Sequence, residues 1–148
     1  MQRRKFIKTA CMGAACCVAG GSALLQGCGT AVYYAEYQLT GKRLAVEKSA
    51  FQYTTKKGEL HERMFVLVKP TGAAFPISLY RTPEGYTACL MRCSHQACEV
   101  EVQGSRYACP CHGSEFDIYG TALNGPADQP LQTFKLEENE TQIFILLP

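Results

Sequence analysis

The sequence predicts an all-β domain of short antiparallel strands. Three observations lead to this prediction. Val, Ile, Thr, Tyr and Phe recur in short runs, as they do in strands. Thirteen glycines and seven prolines supply turns between the runs. No segment repeats its apolar residues with the period of a helix, and 148 residues suffice for one domain with a small appendage.

The first 28 residues have the layout of an export signal. The basic run RRKFIK (residues 3–8) precedes an apolar stretch of small residues, which ends in LQGC at Cys28. RRKFIK resembles the twin-arginine motif of a pathway that exports folded proteins, and LQGC resembles a lipobox, whose cysteine receives a lipid. We therefore expect lipidation of Cys28, with an uncleaved membrane anchor or plain cleavage as alternatives. Either of the first two would tether the domain to a membrane.

The charge pattern gives no support to nucleic-acid binding. The net charge of +2 depends on four basic residues of the export signal. Without them, eleven basic residues face thirteen acidic ones, a balance of −2. Because the rest of the chain is mildly acidic and has no basic patch interleaved with aromatic residues, we expect no nucleic-acid partner.

The remainder divides into a tether, residues 29–42, and a domain, residues 43–148. The turn-rich segments TTKKGE and RTPEG each lie between two predicted strands, and Gly104-Ser105 is a third turn. Cys89 is expected to be buried in a strand, His61 to lie at the surface, and residues 137–140 to form a polar turn. The predicted strands cover residues 42–53, 61–69, 75–80, 86–92, 99–103, 106–109, 115–119, 131–137 and 141–147.

The reactive residues lie in two boxes, CSHQAC (residues 93–98) and CPCHGS (residues 109–114). Together they offer four cysteines and two histidines, more than the four ligands of a usual metal site. Zinc is one candidate, although its sites usually pair Cys with Cys and His with His. Because each box mixes the two residue types, a dinuclear centre fits better, with two thiolates on one iron and two imidazoles on the other.

These boxes resemble those of Rieske [2Fe-2S] iron–sulfur proteins, C-x-H-x-x-C and C-P-C-H-G-S. Because each box also has a second cysteine, the chain is similar to the disulfide-containing Rieske subunit of cytochrome bc complexes. GPADQPL (residues 125–131) resembles the proline-rich loop G-P-A-P-x-x-L of that family, with Asp128 in place of the second proline. The resemblance covers about residues 93–131.

The resemblance implies a Rieske fold, in which stacked sheets carry a cluster-binding subdomain of two loops at about residues 89–131. It also implies a role for each site residue. Cys93 and Cys109 would bind one iron and His95 and His112 the other, with a Cys98–Cys111 disulfide and with Gly125, Pro126 and Ala127 covering the cluster.

Two positions, Ser114 and Phe116, would tune the potential, and two others depart from the family pattern. In the family, the Ser114 hydroxyl donates a hydrogen bond to a cluster sulfur and raises the reduction potential. Phe116 stands where high-potential, quinol-oxidising members carry a tyrosine that donates a second bond, so a lower potential is expected. Gln96 replaces an apolar residue of the docking tip, and Ala97 replaces a common glycine.

The function that follows from the resemblance is electron transfer at the periplasmic face of a bacterial cell membrane. The leading expectation is the iron–sulfur subunit of a cytochrome bc-type quinol-oxidising complex, with a cytochrome b or c-type cytochrome as partner. The alternatives are the small subunit of a molybdopterin oxidoreductase similar to arsenite oxidase, or a stand-alone carrier. Chemistry would belong to the cluster and a partner, because no substrate site is expected. An oxygenase ferredoxin and a structural zinc module are less consistent with the export signal and the mixed boxes.

Overall fold

The computed structural model describes residues 32–148. The export signal, Cys28 and the first residues of the tether lie outside the described residues. The described part is all-β, as predicted, and its one short helix is a 3-10 helix at Lys48–Phe51. Its strands are β1 Gln38–Thr40, β2 Arg43–Glu47, β3 Gln52–Thr54, β4 Leu60–Glu62, β5 Phe65–Val68, β6 Ile77–Thr82, β7 Gly85–Leu90, β8 Glu101–Gln103, β9 Arg106–Ala108, β10 Glu115–Asp117, β11 Ala122–Asn124, β12 Lys135–Glu138 and β13 Gln142–Leu146.

Two antiparallel sheets enclose the main core. One has the order β1-β2-β13-β12 and the other β5-β6-β7. Strands β2 and β13 bury every second residue, Leu44 and Val46 on one and Ile143 and Ile145 on the other. Since alternate side chains of a strand point to opposite faces, this pattern directs one face of the first sheet onto the second. Strands β5 and β6 are more apolar and are buried along most of their length.

A second core lies beneath the two reactive boxes. It contains Cys89 of β7, Tyr107 of β9 and Phe116 of β10, together with Cys93 and Cys109. The sheet β11-β10-β9-β8 presents this core to the loops that connect β7 to β8 and β9 to β10. Cys89 is fully buried and His61 is exposed, and both predictions are confirmed. The second core therefore forms the base on which both boxes rest.

The structure corrects the predicted boundaries of the tether and of the first two strands, the second of which, residues 61–69, is divided into β4 and β5. Part of the expected tether belongs to the domain, because Ala35 is buried in the main core and β1 pairs with β2. The strand expected over residues 42–53 is interrupted by the 3-10 helix, whose last residue, Phe51, is buried against the ring of Tyr86 at 5.2 Å between centroids. Strand β11 was not predicted.

The predicted turns at RTPEG and at Gly104-Ser105 are confirmed, since β6 and β7 and then β8 and β9 pair directly across them. The polar turn near the C-terminus is shorter than expected, because Glu137 and Glu138 belong to β12. No helix of residues 32–148 is both long and apolar enough to span a bilayer.

Candidate metal centre

The first box is a loop closed on itself by two backbone hydrogen bonds. The Cys93 N–H donates to the Cys98 carbonyl at 2.8 Å, and the Ala97 N–H donates to the Cys93 carbonyl at 2.9 Å. Ala97 has a φ of 56°, in the left-handed region that side chains other than glycine rarely adopt. The conformation explains why glycine is common at this position of the motif, and it makes Ala97 a strained substitute.

The second box repeats this geometry at the same offsets. The Cys109 N–H donates to the Ser114 carbonyl at 2.8 Å, and the Gly113 N–H donates to the Cys109 carbonyl at 3.0 Å. Gly113, four residues after its cysteine as Ala97 is, has a φ of 77°. The two loops are therefore built alike, each turning back toward its own first cysteine.

A disulfide between Cys98 and Cys111 joins the two loops, as the resemblance implied. The sulfurs of Cys98, Cys109 and Cys111 lie within 4.8 Å of one another. That trio differs from the expected ligand set. Because the Cys98 and Cys111 sulfurs are bonded to each other, they have no thiolate to offer a metal. Of the three, only Cys109 is free to bind one.

Two free thiols and two imidazoles remain in the loops. Cys93 is 2% exposed and Cys109 3% exposed, so both thiols point into the second core. His95 and His112 are exposed, and their rings meet edge to face with 5.0 Å between centroids. The pair of loops therefore places sulfur donors inward and nitrogen donors outward. This donor set fits a dinuclear iron centre with unlike ligands at its two ends.

The proline-rich loop is fixed to both boxes by serine hydroxyls. The buried Ser114 Oγ accepts a hydrogen bond from the Ala127 N–H at 3.0 Å, which leaves the Ser114 O–H free to donate. Ser94 donates from Oγ to the Gln129 carbonyl at 2.6 Å. The loop is thereby held over the second box at Ala127 and over the first box at Gln129.

Ser94 is a site residue that the sequence did not reveal. It stands between Cys93 and His95, where nothing marks it as different from a polar filler. Its partner is 35 residues away, and the contact depends on how the proline-rich loop folds back. Only the second serine, Ser114, carried a signal, through its place in the motif.

Beneath the loops, the second core holds two buried titratable groups besides the ligand candidates. Burial raises the pKa of the Cys89 thiol to about 11. Burial also raises the pKa of Tyr107, whose hydroxyl donates to the Ser78 Oγ at 3.2 Å. Phe116 is fully buried and pairs with Tyr107 across β10 and β9. Neither the Cys89 thiol nor the Tyr107 hydroxyl is ionised at neutral pH, so the second core adds no charge next to the centre.

A cleft of about 280 Å³ opens beside the first box. Residues 92–97 line one side of it, and Pro130 and Gln132 line the other. Gln96 is exposed and lines this cleft. The exposed His95 ring borders the same cleft, so a docked partner would reach the imidazole through a polar surface.

Together, the β-domain and its two matched Cys/His loops define an iron–sulfur protein of the electron-transfer class. The model of the Rieske [2Fe-2S] domain family matches residues 50–135, more than half of the chain. The chain therefore belongs to this family, and its cofactor is a [2Fe-2S] cluster. The upstream limit of the match lies close to the end of the 3-10 helix.

Relatives include iron–sulfur subunits of the cytochrome b6-f complex. The chloroplastic subunit of Bigelowiella natans is 34% identical over 55 residues, which cover 36% of this chain and 22% of the relative. The subunit of Prochlorococcus marinus is 33% identical over 55 residues, which cover 36% of this chain and 31% of the relative. The matched segment spans less than a third of either relative.

Among solved structures, the plasma membrane Rieske protein PetC3 of Synechocystis is 22% identical, with a TM-score of 0.45. That match covers 70% of this chain and 85% of PetC3. A complex of the oxygenase and ferredoxin of carbazole 1,9a-dioxygenase includes a chain 26% identical, with a TM-score of 0.46, over 56% of this chain and 80% of that one.

Proposed function

We propose that Cys93 and Cys109 bind one iron of the [2Fe-2S] cluster and that His95 and His112 bind the other. The observation that carries this proposal is the arrangement of the two matched loops. Each loop supplies one buried free thiol, and the two imidazoles meet 5.0 Å apart at the surface. The disulfide occupies the two remaining cysteines, Cys98 and Cys111.

The cluster, when bound, supplies one-electron transfer, and the chain determines where the electron enters and leaves. The thiols are enclosed by the second core, whereas both imidazole rings face solvent. A partner can therefore approach the histidine edge much more closely than the cysteine edge. Neutral imidazole ligands also make the centre less negative than four thiolates would, which favours reduction.

The side chains around the centre are expected to give a potential below the top of the Rieske range. Ser114 has a free hydroxyl hydrogen to donate, whereas Phe116 has none. Each lost donor makes added negative charge on the cluster less favourable. We expect Phe116→Tyr to raise the midpoint potential by about 45 mV if its hydroxyl stabilises the reduced form by about 1 kcal/mol. Voltammetry of the two proteins measures this change.

We propose further that the protein is a membrane-tethered electron carrier on the periplasmic face of a bacterial membrane. RRKFIK and the lipobox-like LQGC, ending at Cys28, support export and attachment. The cytochrome b6-f subunits among the relatives support a cytochrome bc-type quinol-oxidising complex, with a cytochrome b or c-type cytochrome as partner. The disulfide is consistent with an oxidising compartment.

A second candidate is the Rieske subunit of a molybdopterin oxidoreductase, or a stand-alone carrier. Phe116 and the exposed Gln96 favour it, because the first lacks the donor of high-potential members and the second makes the cleft beside His95 polar. An apolar tip would suit a site buried in the membrane better than this surface does.

The two candidates differ in what copurifies with the protein. We expect the reduced protein to give a Rieske electron paramagnetic resonance signal with an average g near about 1.9, which zinc cannot give because its d¹⁰ ion has no unpaired electron. Mild detergent extraction from native membranes should then yield b-type haem for the first candidate or molybdenum for the second. A protein that copurifies with neither is a stand-alone carrier, and one without the signal refutes the cluster assignment.

A further inference from the structure

Exposed apolar side chains are concentrated where the described chain begins. Of nine large hydrophobic residues that are exposed in residues 32–148, six lie in two short segments, residues 32–34 and residues 53–64. Their exposed fractions range from 37% to 66%. The six are Val32, Tyr33, Tyr34, Tyr53, Leu60 and Met64.

Side-chain contacts join these two segments into one surface. The Arg63 guanidinium lies over the Tyr33 ring at 4.2 Å and over the Tyr53 ring at 4.6 Å. Tyr53 in turn stacks on His61 at 5.5 Å between centroids. Because alternate residues of a strand point to opposite faces, Leu60 lies on the other side of the hairpin from Tyr53 and His61. We call the joined surface the aromatic face, defined by Tyr33, Tyr53, His61 and Arg63.

No other element of residues 32–148 covers the hairpin at this surface. The hairpin of β3 and β4 is a separate two-stranded sheet, and all six of its strand residues are exposed. Arg63 also donates to the Gln52 carbonyl at 2.7 Å, so the cation is held in place between the rings. Exposed tyrosines beside a held arginine are typical of a membrane–water interface, where rings are half apolar and half hydrated.

The length of chain before the aromatic face limits where it lies. Val32 follows Cys28 by four residues, so a fully extended chain spans at most about 14 Å between them. The headgroup layer of one leaflet is about 5–8 Å thick. The domain of residues 32–148 has an expected radius of gyration of about 13 Å, similar to this reach. A lipid on Cys28 would therefore hold Tyr33 in or just above the headgroups.

Charge at the hairpin agrees with this placement. The turn between β3 and β4 carries Lys56 and Lys57. Of the two acids nearby, Glu62 pairs with Arg81, and Glu59 is exposed in the turn. The two lysines outnumber Glu59, so the turn is suited to anionic lipid headgroups.

We propose that the aromatic face rests in the headgroup layer of the membrane and fixes the orientation of the domain. The inference rests on the proposed attachment at Cys28. It goes beyond that attachment because a lipid alone confines the domain to the surface but leaves it free to rotate. With the aromatic face docked, the chain has two points of attachment, and one particular side of the domain faces the bilayer.

The absence of tryptophan from the chain allows a direct test. The full-length protein, purified from membranes, is placed in phosphatidylcholine–phosphatidylglycerol vesicles with or without brominated acyl chains. Tyr53→Trp supplies a single fluorescent reporter on the aromatic face. Tyr119→Trp is the matched control, because Tyr119 is similarly exposed but belongs to the segment between β10 and β11. The visible spectrum checks that each variant keeps its cluster.

We expect brominated lipid to lower the emission of Tyr53→Trp about two-fold and that of Tyr119→Trp much less, because only the first ring lies at the bilayer. Equal emission with and without bromine at Tyr53→Trp overturns the inference. So does equal quenching of both variants. Protection of Tyr53→Trp from soluble iodide only in native membranes, without bromine quenching, would assign the face to a protein partner instead.

Mass spectrometry of the N-terminal peptide separates this inference from the attachment itself. A peptide with unmodified Cys28 refutes lipidation, whatever the fluorescence shows. Bromine quenching of Tyr53→Trp in such a protein would still support the aromatic face as a lipid-contacting surface. An acylated Cys28 with an unquenched Tyr53→Trp would leave the attachment correct and refute the docked orientation.

Discussion

Replacing Ser114 by alanine should produce two separate effects, one on the potential and one on stability. The Ser114 hydroxyl is fully buried, accepts from the Ala127 N–H at 3.0 Å, and keeps its own hydrogen free. We expect that hydrogen to be donated to a cluster sulfur. Alanine removes both functions. Because Ala127 is itself buried, its N–H would lose its partner in a site that water does not reach.

The magnitudes follow from these two contacts. An unsatisfied buried N–H costs about 1–3 kcal/mol of folding free energy. A hydrogen bond to a charged group contributes about 1.5–3 kcal/mol. If reduction strengthens the Ser114 bond by about 1.5 kcal/mol, its loss lowers the one-electron midpoint potential by about 65 mV. We therefore expect Ser114→Ala to lower both the midpoint potential and the thermal unfolding temperature.

Voltammetry measures the first effect, and circular dichroism during heating measures the second. Ser78→Ala is the matched control, because Ser78 is the other fully buried serine of the described chain and its Oγ accepts from Tyr107 at 3.2 Å. It should lower stability with a much smaller change in potential. An unchanged midpoint in Ser114→Ala would refute the donor role. An equal shift in Ser78→Ala would show that any disturbance of this core moves the potential.

Three other perturbations test the loops and the base beneath them. Ala97→Gly should stabilise the protein by about 0.5–1 kcal/mol and Gly113→Ala should destabilise it by at least as much, because both positions have positive φ; thermal unfolding measures each. Replacing both Cys98 and Cys111 by serine should lower the free energy of unfolding by about 3 kcal/mol, because the disulfide no longer closes a loop with a sequence separation of 13 in the unfolded chain. A lower unfolding temperature and faster loss of the cluster would measure this effect. The Cys89 thiol has a pKa of about 11 in the folded protein, against a usual 9.0. Its contribution to the free energy of unfolding is therefore complete below about pH 9 and lost by about pH 11, a decline of about 3 kcal/mol. Cys89→Ala should remove this decline, which unfolding temperatures from pH 8 to 11 would show.

Each of these expectations has an outcome that contradicts it. Destabilisation by Ala97→Gly, or stabilisation by Gly113→Ala, would show that the two loops do not share a backbone constraint. Unaltered cluster retention in the double serine variant would mean that the disulfide plays no part in holding the loops together. If Cys89→Ala retains the full alkaline decline, Tyr107, whose pKa burial also raises, is the group responsible.

The sequence predicted the fold class and the buried Cys89 because each depends on a local pattern of apolar residues and turns. The disulfide was predicted only through the resemblance of the two boxes to the Rieske family. The 3-10 helix was missed because its cause, the burial of Phe51 against Tyr86, involves residues 35 positions apart. β1 was missed because it is an edge strand whose three residues are all exposed, so it has no alternation to detect.

Contacts between distant loops were equally inaccessible. Ser94 reaches Gln129, and the aromatic face forms only when Tyr33 meets Arg63. In each case one partner belongs to a segment whose path is set by the tertiary fold. Ala97 lies between these extremes, because the motif identified the position while only the backbone showed that its φ is positive.

The matched hydrogen bonds of the two boxes bear on the order in which the site is assembled. Each loop has backbone hydrogen bonds within itself that close its turn, at Cys93 and at Cys109, in addition to the disulfide between the loops. A protein exported in the folded state would take up its iron in a reducing compartment and meet oxidising conditions only afterwards. Loops with closing bonds of their own suit such a sequence of events. The disulfide would then form last and stabilise loops that already hold a complete centre.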